Sequence, residues 1–427
     1  MTTTAERPQA LAPQEDSQAP ISWKMPVLYI LATLLGVYFA LSSEGTVSFA
    51  WEDISVRSGD PLVLYAVQTC WVLTAIIAVA AAYSTMLAVL RKKQPLWIGL
   101  VVIFPLILAF LAFQGGGSPR TVTVAFLFYS TIIAATPLIY GSLAGVICER
   151  VGVINIAIEG QLLTGAFTGI IVASATQNPW LGLIAAPISG ALVGALLAFF
   201  SVRYAVDQII VGVVLNVLCL GITNFLLQSI VKDNPSWNSI SSSLPVWEIP
   251  LLSSIPFIGP VFFKHTIIVY LLYFFLIALT ILLFRSRWGL RMRSVGEHPK
   301  AADTVGVKVN QTRFLNTMLG SSFAGLGGAA FTIGAGTVFT ENISAGNGYI
   351  ALAAMILGKW HPIGAMGAAL MFGFASAIVN FLPLVATNPV DPSLLNMIPY
   401  IVTILAVAGF VGKSRGPAAV NTPYLKS

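Results

Sequence analysis

Residues 265–285 read HTIIVYLLYFFLIALTILLFR, and no charged side chain falls between His265 and Arg285. A helix needs about 20 apolar residues to cross the hydrocarbon core of a bilayer, and this stretch supplies them. Comparable runs lie at 25–43, 63–90, 95–113, 121–147, 159–175, 181–201 and 208–231 before it, and at 313–336, 346–358, 362–385 and 396–412 after it. The pattern predicts an all-α fold, a polytopic transmembrane helix bundle of about 10–12 spans. The run at 346–358 is short and fits a half-helix.

Composition excludes the soluble classes. The chain has 427 residues, 57% of them apolar and only 9% charged, against about 25% charged in soluble domains. The net charge is +6, but no basic patch interleaved with aromatics marks a nucleic-acid partner, so the charge reads as topology. With residues before 25 placed inside and the runs alternating, 18 of the 22 basic residues fall on the cytoplasmic side. Seven of these lie between Arg285 and Arg313, and only Arg57, Arg120, Lys232 and Lys264 fall outside. Such a bias orients a membrane protein with both termini cytoplasmic.

Signals for catalysis are sparse. Cys70, Cys148 and Cys219 lie in or beside apolar runs, and His265, His298 and His361 have no ligand partners at metal spacing. VAGFVGKS at 407–414 imitates a phosphate-binding loop, yet Val407 stands where its first glycine belongs and the stretch ends a helix. Neither a metal nor another cofactor is expected. The first 24 residues are polar, of mixed charge and without a cleavage signature, so a disordered tail is expected and the first run should be retained. Gly141/Gly145, Gly165/Gly169 and Gly190/Gly194 form GxxxG pairs, read as ordinary close packing.

Polar groups inside spans are costly and tend to face a cavity or another helix. Four stretches stand out. ERVGVINIAIEGQ, residues 149–161, carries Asn155 and Glu159 between Gly152 and Gly160. It reads either as a broken helix lining a pathway or as a short turn with a solvated carboxylate. Gln208, Gly212, Asn216, Thr223 and Asn224 recur on one helical face, which lipid cannot satisfy; pathway lining and inter-helix bonding explain them equally well. FTENISAGNGYIALAAMILGKWHP, residues 339–362, places Glu341 and Asn342 before a glycine-rich turn that contains Asn347. A half-helix opening there would offer free N–H groups to an anionic or hydroxyl-rich ligand. In GLRMRSVGEHPKAADTVGVKV, residues 289–309, Pro299 suits the first turn of a short helix and Gly306 the position just past its end.

As a set and in this order, GVINIAIEGQ, DQIIVGVVLN, GLRMRSVGEHPKAADTVGVKV and NISAGNGYIALAAMILGKWHPIGA resemble the nucleoside and simple-sugar permeases of the ABC superfamily, a group that includes ribose and branched-chain amino-acid permeases. The resemblance covers roughly residues 120–412. It implies a permease subunit of a bacterial ABC importer in the plasma membrane, translocating a nucleoside or related sugar. The implied partners are a related permease subunit forming a heterodimer, an ATP-binding cassette ATPase, an extracytoplasmic substrate-binding lipoprotein and membrane lipid. By this resemblance Asn155, Glu159, Asn216 and the Gly346–Ala351 turn belong to the family's membrane motifs; together with Gln208, Glu341 and Asn347 from the polar stretches above they form the expected substrate pathway. Gly296, Glu297, Pro299, Ala302, Asp303 and Gly306 fall in an ATPase-coupling loop with a short coupling helix. The chain then divides into a cytoplasmic tail (1–24), additional N-terminal transmembrane helices (25–119), the permease transmembrane domain (120–412) and a second cytoplasmic tail (413–427). Ala157 stands where the family often has Gly, and Asn347 where a basic residue is usual. An ion- or proton-coupled secondary transporter, with Glu159 as its intramembrane acid, is the alternative. A membrane-embedded enzyme comes third, because no paired acid and base or nucleophile is present.

Overall fold

The computed structural model describes residues 23–50, 61–92, 94–386, 395, 397–400 and 416–425. The helices are α1 (Lys24–Ser42), α2 (Ala66–Val89), α3 (Leu96–Gly115), α4 (Val124–Arg150), α5 (Ile158–Thr176), α6 (Pro179–Ala198) and α7 (Gln208–Leu226), followed by α8 (Ile258–Phe262), α9 (Ile267–Arg285), α10 (Arg287–Glu297), α11 (Pro299–Thr304), α12 (Val309–Ala329), α13 (Asn347–Leu357) and α14 (Pro362–Val385). Among the described residues nine helices are long and apolar enough to cross a membrane. The protein is therefore an all-α polytopic bundle, as lipid requires of a chain that must satisfy its own backbone. Eleven of the twelve apolar runs correspond to helices; the run 396–412 lies almost wholly outside the described residues, as do residues 1–22.

The chain forms two compact units. Of the described residues, the first comprises 23–49, 61–122 and 384–386, the second the remainder. In the first, α1, α2 and α3 pack together around Tyr29, Ile77 and Ile98. Strands β1 (Thr46–Ala50), β2 (Leu62–Tyr65) and β3 (Thr121–Thr123) pair in the order β2-β1-β3. The expected spans 63–90 and 121–147 thus start later than their apolar runs, because their first residues are taken into β2 and β3.

In the second unit α12 is the central helix, packed on α4, α5 and α6. It is not among the nine apolar helices, since it carries Arg313, Asn316, Thr317 and Ser321, all buried. Protein, not lipid, surrounds these groups. Its close approach depends on glycine: a Cβ at Gly165 of α5 would overlap the backbone of Gly325, and one at Gly325 would meet the Ala186 carbonyl and Gly190 of α6. The GxxxG pairs are packing surfaces within the chain. By contrast α7 and α9 turn apolar side chains such as Val217, Phe225, Phe274 and Ile277 outward. The segment after α7 is ordered by a hairpin of β4 (Val246–Glu248) and β5 (Lys264–Thr266), with Trp247 opposite His265 and a Glu248–Lys264 ion pair at 3.5 Å.

The 286–312 loop holds two helices where one was expected. The Ser286 hydroxyl accepts the Gly289 N–H (3.1 Å) and starts α10. Its continuation is broken at His298, whose extended backbone (φ −141°) is what a following proline imposes. Pro299 is the first residue of α11. Gly306, at φ +85°, ends it: the N–H groups of Gly306 and Val307 return to the carbonyls of Asp303 and Ala302.

Candidate functional site

α4 and α5, each long enough to cross a membrane, are joined by a non-helical break. α4 stops at Gly152 (φ +87°), where the N–H groups of Gly152 and Val153 return to Glu149 and Cys148. Residues 151–157 form an irregular turn inside the protein, so Asn155 is not on a helix and shares no helical face with Glu159. Asn155 is fully buried in a reciprocal amide pair with Gln161, both bonds at 3.0 Å.

The polar stripe of α7 faces this break and satisfies its backbone. Gln208 Oε1 accepts the Ile154 N–H (2.7 Å). Gly212 leaves room for Ile156, 3.0 Å from where a Cβ would stand. Asn216 accepts the Gly160 N–H (2.8 Å) and donates to the Ile156 carbonyl (2.9 Å) and the Tyr349 hydroxyl (3.2 Å). Buried main-chain groups need such partners, and α7 provides them across the break. Thr223 bonds only its own helix, while Asn224 donates to Glu341 (2.8 Å), away from this cluster.

Glu159 begins α5 and also closes the start of α13. Its carboxylate accepts the Ser344 hydroxyl (2.6 Å) and the N–H groups of Gly346 (2.8 Å) and Gly348 (2.6 Å). The side chain is 8% exposed. An anion is favoured at a helix N-terminus, and here one carboxylate sits at two of them. The N–H groups that sequence reasoning left free for a ligand are thus occupied by the protein's own acid. Gly348 is required there, since a Cβ would fall 2.5 Å from the Glu159 backbone. Asn347, half-buried, lies between the two glycines. The structure therefore gathers Glu159, Asn216 and Asn347 at the α13 start, puts Asn155 and Gln208 behind them, and sets Glu341 apart. Gln161, Ser344 and Tyr349 belong to the same network and were not singled out from sequence; Gln161 closed the quoted 149–161 stretch and was the available signal.

At the opposite end of α13, Trp360 Nε1 donates to Glu149 (2.6 Å) and its carbonyl accepts Arg150 (2.9 and 3.0 Å). His361 stacks on Phe284 (4.8 Å between centroids). Burial, and then the Arg150 charge, push its imidazole below the usual value. In the neighbouring loop Gly296 fits under the Arg150 carbonyl, Glu297 accepts the Ala418 N–H (3.2 Å), Ala302 is buried with Val295 and Val309, and Asp303 meets the Tyr424 hydroxyl. Leu290 and Val305, the latter 78% exposed, project from this loop. Among the described residues no three His, Cys, Asp or Glu side chains form a metal cluster.

Residues 127–407 match the family model for the branched-chain amino acid transport system / permease component. Guanosine ABC transporter permease protein NupQ of Bacillus subtilis is 41% identical over 310 residues, 70% of this chain and 95% of the relative. Nucleoside ABC transporter permease protein NupC of Lactococcus lactis is 38% identical over 316 residues, 71% and 98% of the two chains. A more distant relative, guanosine ABC transporter permease protein NupP of Bacillus subtilis, is 26% identical over 298 residues, 68% and 84%. No solved structure matches the chain.

Proposed function

This chain belongs to the family of branched-chain amino acid transport system permease components, and from that premise we propose that it moves a nucleoside or related sugar through a bacterial plasma membrane as one subunit of an ABC importer. It is a transport subunit and not an enzyme; ATP hydrolysis belongs to a separate ATPase, and an extracytoplasmic lipoprotein delivers the substrate. The carrying observation is the α7–break–α13 network: a buried carboxylate holds the short helix α13 by its N-terminus, and the Asn216 amide ties α7 to the break and to Tyr349. Transporters build midplane sites from such interrupted helices.

A related permease is the proposed partner. Tyr349 and Glu341 are exposed on the surface of the single chain, and lipid cannot solvate a rim of this polarity. A second protein wall would enclose it. The similarity to both NupQ and NupP, two permease proteins named for guanosine in one organism, supports a heterodimer. The N-terminal three-helix unit is an addition to this permease core. Leu290 and Val305, apolar knobs amid arginines and lysines, are the surface offered to an ATPase.

Asn216→Leu tests the site. It removes three hydrogen bonds across the break, so nucleoside uptake into cells should fall at least tenfold while the protein still reaches the membrane. Parental uptake would reduce the α7 stripe to helix packing. Orientation is tested separately, because Cys70, Cys148 and Cys219 are all buried and leave little background. With both termini cytoplasmic, an impermeant maleimide added outside should label Ser241→Cys and spare Ala301→Cys; the opposite pattern inverts the topology.

A further inference from the structure

Arg313 is the largest fully enclosed side chain among the described residues, 2% exposed, and it stands in the second turn of α12. Its guanidinium donates to three main-chain carbonyls: Val151 in the break (3.1 Å), Thr422 (2.7 Å) and Ala419 (3.4 Å). No carboxylate is among these partners. Residues 416–425 therefore form a strap, held from inside by a buried charge that also holds the α4–α5 break.

The strap is fastened to the 286–312 loop as well. The Ala419 N–H donates to the Gly296 carbonyl (2.8 Å) and the Ala418 N–H to Glu297 (3.2 Å). Tyr424 packs on the Val295, Ala302 and Val309 cluster between α10, α11 and α12, and its hydroxyl meets Asp303. Gly296 in turn lies against the Arg150 carbonyl, and the Gly152 N–H is 3.4 Å from where its Cβ would be. Loop, strap and break thus meet at one joint, with Arg313 as the pin.

We propose that Arg313 is a positioning residue and that the strap it holds couples the loop to the intramembrane break, so that displacement of the loop is delivered to residues 151–160. Two observations favour this over simple anchoring. The bonds run to all three parts, so none can move without loading the others. A fixed five-donor fork suits such a hub, which a single ammonium cannot reproduce. The acids Glu297 and Asp303 are turned to the strap, which leaves Leu290 and Val305 as the loop's outward surface. The inference rests on the importer reading above.

The test uses the complete importer in proteoliposomes, comparing nucleoside uptake and ATP hydrolysis stimulated by loaded binding protein. Tyr424→Ala loosens the strap at a half-buried site, and a chain ending at residue 415 removes it. Both should hydrolyse at least threefold more ATP per nucleoside imported, with the half-saturating concentration of binding protein unchanged. Arg313→Gln should behave likewise and Arg313→Lys should recover part of the coupling. Leu425→Ala, on the same strap but 76% exposed, should match the parent. A parental ATP-to-substrate ratio in Tyr424→Ala and the shortened chain overturns the proposal. So does failure of Tyr424→Ala to insert, because the contacts would then serve folding alone. If the parent itself shows no ATP-dependent uptake, it is the importer reading that fails.

Discussion

Glu159→Ala should abolish uptake and lower the melting temperature of the purified protein in detergent by roughly 5 °C or more. The alanine leaves the Ser344 hydroxyl and the Gly346 and Gly348 N–H groups without the acceptor that now holds them. Hydrogen bonds to a charged group contribute about 1.5–3 kcal/mol each, and unmet buried donors add to the loss. Even with partial relaxation the total is several kcal/mol, a large share of the marginal stability of a folded chain. The damage is also localised where function is proposed, since α13 has only 11 residues and too little length to be stable alone. Glu159→Gln should lie between. Its carbonyl oxygen can still serve two of the donors, but its amide then turns N–H toward the N–H of one glycine. Glu159→Asp should resemble alanine more than glutamine, because the shorter side chain withdraws the carboxylate from both glycines. Thermal unfolding followed by intrinsic fluorescence, with uptake measured in parallel, checks the series. An alanine variant with parental stability and uptake would show that the carboxylate does not hold α13.

The bundle is legible in the sequence because lipid dictates it. Runs without charge must become helices, and 265–285 becomes α9 with a shift of two residues at its start. Sequence reading misses α8 and α10. In α10, Gly289, Met292, Val295 and Gly296 do recur on one buried face, but the segment lies in an arginine-rich loop where charge reads as topology. The short helix beside it is legible because proline and glycine act locally: Pro299 and Gly306 mark its ends through backbone geometry alone.

The site is legible in part for the same reason of range. Spacing places Gln208, Gly212 and Asn216 on one face of α7, yet it cannot name what that face serves. The answers lie 54 and 56 residues away, at Ile154 and Gly160. The partner of Glu159 is farther still, 187 residues along at Gly346. A half-helix with free N–H groups and one already capped by a carboxylate have the same local sequence. The strap leaves even less trace, because Val151, Ala419 and Thr422 meet Arg313 through carbonyls that every residue possesses. Residues 413–427 therefore read as a cytoplasmic tail, although Ala418, Ala419 and Tyr424 are bonded to the loop.

Gly325→Val is the substitution expected to be most damaging to assembly. Gly325 sits where α12 is pressed between α5 and α6. A Cβ there would overlap the Ala186 carbonyl and come within 3.0 Å of the Gly190 backbone, while the facing Gly165 is already against the Gly325 carbonyl. Every close neighbour is main chain, which cannot turn aside as a side-chain tip can. Overpacking a core usually costs about 1–3 kcal/mol, and here relief would require two helices to retreat. Valine also has essentially one χ1 rotamer in a helix, so it cannot steer its methyl groups away. The variant should insert, since its helices remain apolar, but lose its monodisperse peak in fluorescence-detected size exclusion. Gly325→Ala should be milder in the same direction. Gly221→Ala on α7 is the contrast: nothing lies within 4 Å of its Cβ position, so it should be neutral or slightly stabilising from helix propensity, by up to about 1 kcal/mol. The difference matters for transport because α12 carries Arg313 at one end and is followed by Glu341 and the α13 turn beyond the other. Displacing its middle would separate the 286–312 loop from the half-helix whatever the state of either. A parental elution profile for Gly325→Val would mean that α12 does not sit between α5 and α6 at this depth.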